Sequence, residues 1–372
     1  MKRRNFLFLA GGLLSGCGAV AQWNRQNNNP VVRNSATPVS LSGKAIGPKG
    51  FYAPVRGDAR IVVISDLNSQ YGSTDYEPEV HQAIALLPAW QPDLVLCSGD
   101  MVAGMSNQLS DEQVKAMWAG FDRVIGAPLR KANLPLGFTL GNHDASGSLG
   151  AGGQMAFERD RRLAAAYWNS HPPQIQFIDR EHFPFYYSFT QNNIFFMVWD
   201  ASSAVISAQQ LAWAEKSLNS TAAQQASIRI AVGHLPLYGI AVGRDKPGEF
   251  LDQAETLRSF LEKNHVHTYI SGHDHTYFPG HRGELQLLQT GALGTGPRHW
   301  LDSDLSPRKT LTVVDVGLAD ASTRYTTYDL THQTLLDTKI LPRMITTASG
   351  TVLRRDITPN TLSPQEKSRF WA

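Results

Sequence analysis

The stretch IVVISDLN, residues 61–68, joins a continuous run of β-branched apolar residues to a polar segment that contains Asp66 and Asn68. Such a run is typical of a buried strand, and the polar segment begins where the strand would end. Ligands of open α/β sheets bind in the crevice outside the carboxyl ends of the strands. The stretch therefore predicts an α/β fold in which Asp66 and Asn68 border a binding crevice.

Four later stretches repeat this arrangement of an apolar run followed by polar residues. They are LVLCSGD at 94–100, LGFTLGNHD at 136–144, IRIAVGH at 228–234 and TYISGHDH at 268–275. Helix-length segments occur near 77–90, 111–132, 155–170, 207–219 and 250–264, which predicts strands layered with helices. Residues 185–189 and 194–199 predict an antiparallel hairpin, and 323–329 an edge strand, so the sheets should be mixed.

The polar residues at these strand ends are of the types that bind metals. They include Asp66, Asp100, Asn142, His143, His234, His273 and His275. Carboxylate oxygen and imidazole nitrogen bind zinc, iron and manganese. Two ions roughly 3.5–4 Å apart, bridged by a carboxylate, can clamp the attacking and leaving oxygens of a displacement at phosphorus. Each motif alone is common in loops, so the prediction of a two-metal crevice depends on all of them occurring in order.

In this order the motifs resemble those of the calcineurin-like metallophosphoesterase superfamily: Asp-x-His, Gly-Asp, Gly-Asn-His-Asp/Glu, a lone His and Gly-His-x-His. The resemblance covers roughly residues 58–330. It implies a four-layer α-β-β-α sandwich with two mixed sheets and a metal site at the carboxyl ends of the strands. FYYSF at 185–189 and GHLPLY at 233–238 resemble the purple acid phosphatase and cyclic-nucleotide phosphodiesterase-like branch. The implied substrate is a small phosphate mono- or diester, and the implied cofactors are two ions of iron, manganese or zinc.

The resemblance also implies a role for each site residue. The implied metal ligands are Asp66 and His275 for the first ion, Asp100 as a bridge, and Asn142, His234 and His273 for the second ion. A metal-bound hydroxide would attack phosphorus, and His143 would be the general acid that protonates the leaving oxygen. Asp144 would orient the ring of His143.

One position departs from the family pattern, because Asn68 stands where the family has a histidine ligand. An amide oxygen binds a transition metal more weakly than imidazole does. Purple acid phosphatases use the tyrosine of a Gly-Asp-x-x-Tyr motif instead, but Ala103 occupies that position here. Three groups are candidates for the missing ligand of the first metal ion: Asn68, Tyr71 and a water molecule. The other interpretation of Tyr71 is that it is a structural residue of the loop. A catalytically degenerate metal- or phosphate-binding lipoprotein is the alternative to an enzyme, although the presence of His143 and Asp144 favours catalysis.

The first 21 residues have the form of an export signal. Basic residues 2–4 precede an apolar segment, 6–14, that is too short to span a membrane. RRNFL at 3–7 resembles a twin-arginine signal, and LSGC at 14–17 resembles a lipobox in which Cys17 is acylated. We therefore expect an exported bacterial protein, periplasmic or on the cell surface, with a lipid anchor on Cys17. An ordinary cleaved signal and an uncleaved anchor are the alternatives.

The remaining organisation follows from composition. Residues 22–58 are polar and predict a linker, 59–340 the phosphoesterase domain, and 341–372 a loose C-terminal tail. Cys97 lies in an apolar run and is predicted to be a buried strand thiol. A net charge of +2 gives no support for nucleic-acid binding. A Gly-x-Ser-x-Gly elbow does not occur, which argues against a serine esterase.

Overall fold

The computed structural model describes residues 47–48, 51 and 55–370. The predicted export signal, 1–21 with Cys17, lies outside the described residues, as does most of the predicted linker, 22–58. Among the helices of the described part, none has both the length and the apolar character needed to cross a membrane.

Strands and helices alternate along most of the described chain. The strands are β1 (Ala59–Ile64), β2 (Leu94–Cys97), β3 (Leu136–Phe138), β4 (Gln176–His182), β5 (Tyr186–Gln191), β6 (Ile194–Val198), β7 (Ile228–Val232), β8 (Thr268–Ser271), β9 (Phe278–Arg282), β10 (Leu285–Gln289), β11 (Thr310–Gly317), β12 (Ser322–Asp329), β13 (Thr334–Leu335), β14 (Met344–Thr347) and β15 (Gly350–Arg354). The α-helices are α1 (Pro78–Trp90), α2 (Asp111–Phe121), α3 (Ala127–Lys131), α4 (Asn142–Ala145), α5 (Glu158–Ser170), α6 (Ala208–Leu218), α7 (Thr221–Gln225), α8 (Ala254–Lys263) and α9 (Pro364–Phe370). The predicted helix at 111–132 is α2 and α3 joined by a π-helical segment, Asp122–Gly126.

The first sheet has the strand order β13-β12-β11-β1-β2-β3. β1, β2 and β3 are parallel, whereas β11 pairs antiparallel with β1. Every residue of β1 is buried, as expected for a strand covered on both faces. Because the three parallel strands end at one edge, the loops that follow them lie side by side.

The second sheet has the order β14-β15-β9-β10-β8-β7-β6-β5-β4. Its central strands β6, β7, β8 and β10 are parallel. The predicted hairpin is confirmed, since β5 and β6 are antiparallel with Phe189 opposite Phe196. Both sheets are therefore mixed.

The two sheets pack face to face around the core. Tyr187 Oη on β5 donates to the carbonyl of Phe138 on β3 at 2.5 Å, and Ser98 Oγ lies 2.9 Å from Thr290 Oγ1. Helices cover the outer faces: the buried residues of α1 recur every three or four positions, the spacing of a single apolar stripe. The predicted four-layer α-β-β-α sandwich is confirmed, and Cys97 is buried in β2, as predicted.

The segment after residue 340 is not the loose tail that was expected at 341–372. β14 and β15 form an antiparallel hairpin, and β15 pairs with β9, so the second sheet continues to residue 354. The guanidinium of Arg354 is buried and donates to the carbonyl of Leu341 at 2.6 Å. The expected boundary at 340 is therefore wrong. The sequence did not indicate the two strands that follow it because they are rich in threonine and lack a continuous apolar run.

Candidate metal centre

The predicted ligands come from the strand ends of both sheets. The loops after β1, β2, β3, β7 and β8 carry Asp66, Asp100, Asn142, His234, and the pair His273 and His275. Asn142, His273 and His275 line one cleft of about 970 Å³ together with Asn68 and His143. The structure therefore brings the predicted residues together at one place.

Four of the predicted ligands have a backbone conformation that residues other than glycine rarely adopt. Their φ angles are 48° at Asp66, 54° at Asp100, 67° at His273 and 54° at His275. A left-handed conformation costs a residue other than glycine of order 1–3 kcal/mol, and it persists where the surrounding structure enforces it. The concentration of such residues around one cleft supports a functional role for their side chains.

Two glycines allow the backbone to approach the carboxylates of this centre closely. A Cβ atom on Gly141 would lie 2.1 Å from Asp100 Oδ1, and one on Gly272 would lie 2.7 Å from Asp66 Oδ2. Only glycine fits at these distances. The glycines of the Gly-Asn-His-Asp and Gly-His-Asp-His motifs therefore leave room for the two carboxylates.

One group of ligand atoms surrounds Asn142 Oδ1. His273 Nδ1 lies 2.9 Å and His234 Nε2 3.0 Å from this oxygen, and His234 Nε2 lies 3.4 Å from Asp100 Oδ1. Glu249 Oε2 lies 2.9 Å from His273 Nε2 and accepts its hydrogen, so Nδ1 of the neutral ring has a free lone pair. This lone pair faces an amide oxygen, which is also an acceptor. A cation that binds both atoms fits this geometry.

A second group of ligand atoms combines Asp66, Asp100 and His275, all within 4.8 Å of one another. His275 Nδ1 lies 3.0 Å from the carbonyl oxygen of Gly296, which can only accept, so Nδ1 carries the hydrogen. His275 Nε2 then presents its lone pair toward Asp66 Oδ1, 3.3 Å away. Two carboxylates and one imidazole nitrogen are a suitable ligand set for a transition-metal ion.

Burial and charge set the protonation of these groups. Burial lowers the pKa of His273 to about 3, so its ring is neutral. Burial also disfavours the charged form of His234, but the carboxylate of Asp100 raises the pKa of His234 to about 9. Burial opposes the charge of Asp66, yet the neighbouring His275 lowers its pKa. Metal-free His234 therefore holds a proton that a metal ion must displace.

His143 lies at the start of α4 and lines the cleft. Its backbone N–H donates to Asp100 Oδ1 at 2.9 Å, and its Nδ1 lies 3.2 Å from the carbonyl oxygen of Gly104. Since that carbonyl takes the Nδ1 hydrogen, Nε2 is the nitrogen available to a bound molecule. The ring of Tyr71, which is 63% exposed, lies 5.4 Å from the His143 ring between centroids.

The expected contact between Asp144 and the His143 ring is wrong. The buried carboxylate of Asp144 instead accepts hydrogen bonds from three backbone amides. The donors are Met101, Val102 and Gly141, at 2.8, 2.9 and 2.8 Å. Asp144 therefore ties the loop after β2 to the loop after β3, and the Gly104 carbonyl orients the His143 ring.

Asn68, which stands where the family has a histidine, also lines the cleft and is 6% exposed. Its backbone N–H donates to the carbonyl oxygen of Asp100 at 3.2 Å. The residue therefore lies beside the loop that carries the predicted bridging carboxylate, while Tyr71 contacts His143.

Strand-end reasoning misses three charged residues of the cleft, Arg244, Glu249 and Arg298, of which the first two lie close together. These two belong to the segment RDKPGE, 244–249, between β7 and α8. Charged residues around Pro and Gly are typical of an exposed turn, so the sequence offers no signal that they face a site.

Comparison with known proteins identifies relatives of this chain. Residues 59–277 match the sequence profile of a family described as Calcineurin-like phosphoesterase. A purple acid phosphatase from yellow lupin (Lupinus luteus) seeds aligns with a TM-score of 0.55 and 17% identity, over 77% of this chain and 55% of that chain. A dimetal phosphatase from Danio rerio aligns with a TM-score of 0.47 and 15% identity, over 73% of this chain and 95% of that chain. No curated protein matches this chain by sequence.

Proposed function

We propose that this chain, which belongs to the calcineurin-like phosphoesterase family, hydrolyses phosphate mono- or diesters with the help of two metal ions. The observation that carries the proposal is the approach of two acceptors, His273 Nδ1 and Asn142 Oδ1, to 2.9 Å. A cation satisfies both atoms, and the group formed by Asp66, Asp100 and His275 offers a second position. Iron, manganese and zinc suit this donor set.

Each of the two groups of ligand atoms would bind one of the ions. Asp66 and His275 would hold one ion, Asn142, His234 and His273 would hold the other, and Asp100 would contact both. When bound, the ions would lower the pKa of a water molecule and neutralise charge that develops on the phosphoryl oxygens. Four of these residues, Asp66, Asp100, His273 and His275, have the left-handed backbone conformation that persists where the surrounding structure enforces it.

His143 would protonate the leaving oxygen. The carbonyl of Gly104 takes the Nδ1 hydrogen, which leaves Nε2 for the substrate. In the imidazolium form, Nε2–H is donated to the leaving oxygen as its bond to phosphorus breaks, and the ring becomes neutral.

Hydrolysis of an aryl phosphate and an aryl phosphodiester by the purified protein tests this function. We expect turnover that disappears after treatment with a chelator and returns with manganese, zinc, iron or magnesium. The more rapidly hydrolysed ester identifies the substrate class. Asp320→Asn, which removes a carboxylate from the turn between β11 and β12, is the matched control for Asp100→Asn. Turnover that survives complete removal of metal would contradict the proposal.

A second function, binding of metal or phosphate without turnover, is favoured by Asn68 alone. An amide in place of imidazole weakens the first metal position. Uptake of metal by the protein without hydrolysis of either ester, whichever of the ions is added, would favour this binding function.

We also propose that the protein is exported and anchored by acylation of Cys17. The stretches RRNFL at 3–7 and LSGC at 14–17 support this. Expression in a bacterial host with labelled palmitate should label the wild-type protein but not Cys17→Ala. An unlabelled wild-type protein would point to an ordinary cleaved signal.

A further inference from the structure

Glu249 contacts a predicted metal ligand from outside the ligand group. Its Oε2 lies 2.9 Å from His273 Nε2, on the opposite side of the ring from the nitrogen that faces Asn142. The side chain of His273 is 5% exposed and that of Glu249 is 22% exposed. The hydrogen bond between them is therefore largely shielded from water.

Arg244 holds this carboxylate against the histidine. Its Nη1 contacts the same Oε2 atom of Glu249 and lies 3.3 Å from His273 Nε2. A guanidinium can only donate, so Glu249, and not Arg244, accepts the hydrogen of His273. Hydrogen bonds between arginine and carboxylate are among the strong ones in proteins, and this one keeps a negative charge beside the ring.

The C-terminal hairpin supports the loop that carries both residues. Asp245 Oδ1 accepts a hydrogen bond from the backbone N–H of Ala348, in the turn between β14 and β15, at 2.7 Å. In the same turn, Ser349 Oγ donates to the carbonyl oxygen of Leu237 at 3.2 Å. The turn therefore fixes the loop next to Arg244 and also the segment that leads into it.

We propose that Glu249 is a positioning residue for the second metal ion, held by Arg244 and supported by the β14–β15 turn. By accepting Nε2–H, Glu249 selects the tautomer of His273 whose Nδ1 lone pair points toward Asn142, and its charge makes that nitrogen more basic. Partners of this kind contribute about 10–100-fold to metal affinity. The inference rests on the metal-binding part of the proposed function and does not depend on turnover.

Titration of the metal-free protein with Co²⁺, followed by the visible absorbance of the bound ion and by competition with a chelating dye, tests the inference. We expect two ions to bind per chain of the wild-type protein. Glu249→Leu should bind one of them about 10–100-fold more weakly and leave the other unchanged. Glu249→Gln keeps an acceptor oxygen without the charge, so its affinity should lie between those two proteins.

Glu255→Leu is the matched control. Glu255 also pairs with two arginines, Arg258 and Arg282, but lies on α8 and contacts them together with Tyr238. The Glu255→Leu protein should bind both ions with the affinities of the wild type. Asp245→Ala, which removes the oxygen that accepts the backbone N–H of Ala348, should weaken the same ion as Glu249→Leu by a smaller factor, because this contact acts one step further from the metal.

Two results would overturn the inference. One is wild-type affinity for both ions in Glu249→Leu. The other is an equal loss in Glu255→Leu, which would make the effect one of general stability. Since the titration needs no substrate, a protein that binds Co²⁺ as expected but hydrolyses no ester contradicts the proposed function and leaves the role of Glu249 intact.

Discussion

The two ends of strand β1 both carry buried charge, but only at the start of the strand is the carboxylate paired with an arginine. At the start of the strand, Arg60 Nε lies 2.8 Å from Asp315 Oδ1, and its Nη1 donates to the carbonyl of Trp90 at 3.1 Å. Just beyond the end of the strand, Asp66 lies among the ligand atoms of Asp100 and His275, all within 4.8 Å of one another. The first cluster pairs a donor with acceptors, whereas the second gathers acceptors that cations would balance.

Strand β8 repeats the contrast. His267, directly before it, lies with Nδ1 2.7 Å from Thr268 Oγ1, and burial lowers its pKa to about 4. His273 and His275, directly after it, have positive φ angles and line the cleft. At β1 and β8, the polar residues at the strand starts thus have partners within the fold, whereas those after the strand ends surround the candidate metal centre. The variants below separate the two roles.

The largest effect is expected from Asp100→Asn, at the strand-end site. The amide keeps the shape of the side chain but loses the charge that lets one group bind two cations. Because the ions supply several kcal/mol of transition-state stabilisation, hydrolysis should fall by at least about a thousandfold. Metal analysis should show fewer than two ions per chain. A variant with full metal content and a near wild-type rate would mean that another group bridges the ions.

The opposite pattern is expected from Asp315→Ala, at the strand-start cluster. Arg60 would remain buried without its carboxylate, so the free energy of unfolding should fall by about 3–5 kcal/mol. Urea unfolding measures this loss, and hydrolysis per folded molecule should not change. In a double variant, Arg60→Met with Asp315→Leu, much of the stability should return, because no fully buried charge is left unpaired. Arg324, which also contacts Asp315, has a side chain that is 39% exposed to water. A loss of hydrolysis without a loss of stability would remove the distinction between the strand ends.

The grouping of the candidate ligands could be predicted from sequence because each directly follows an apolar run. The direction of parallel strands then forces their ends to one edge, so Asp66, Asp100 and Asn142 could be grouped without coordinates. The role of Asp144 could not be predicted in this way. Its neighbour in sequence is His143, but amides of two different loops meet its carboxylate only after folding.

The C-terminal hairpin and the contact of Glu249 with His273 could not be predicted from the sequence for a related reason. The stretch MITTASGTVLR, 344–354, has only two pairs of apolar residues flanked by threonine, and neither a continuous apolar run nor a strict alternation, so its strand signal is weak. Its SG dipeptide, 349–350, was the available sign of a turn. The contact of Glu249 with His273 joins residues 24 positions apart, with α8 and β8 between them in the chain. Local periodicity carries no information about such a contact.

His143→Gln should affect catalysis while leaving the metals in place. Loss of the proton donor should slow an alkyl phosphate, whose leaving group is poor, by at least about a hundredfold. An aryl phosphate with a good leaving group should be slowed less, because it needs less protonation. His81→Gln, at an exposed histidine of α1, is the control. An equal decrease for both esters, or a loss of metal, would argue against the role of general acid.

The pH dependence of stability should report on His267, at the start of β8. The folded protein favours the neutral ring, with a pKa of about 4, whereas the ordinary value is 6.5. As the pH falls from 6.5 toward 4, the unfolded state binds the proton first, so the protein loses at most about 3 kcal/mol through this group. In His267→Gln, the free energy of unfolding should decline less steeply over this range than in the wild type. Parallel declines in urea-unfolding series would show that His267 is not the titrating group.

The smallest effect is expected from Asn68→His, which restores the family ligand at the strand-end site. If the wild-type protein is an active enzyme, the imidazole should strengthen binding of the first ion roughly tenfold, which corresponds to about 1.4 kcal/mol, and change the rate little. Asn68→Ala should weaken the same ion, because the amide oxygen is lost. If the binding function is correct, hydrolysis should be absent in the wild type and appear only in Asn68→His. Metal titration and ester hydrolysis on the wild type, Asn68→His and Asn68→Ala therefore decide between two alternatives. Either the first metal position supports catalysis with Asn68, or the loss of the family histidine has left a protein that binds metal without turnover.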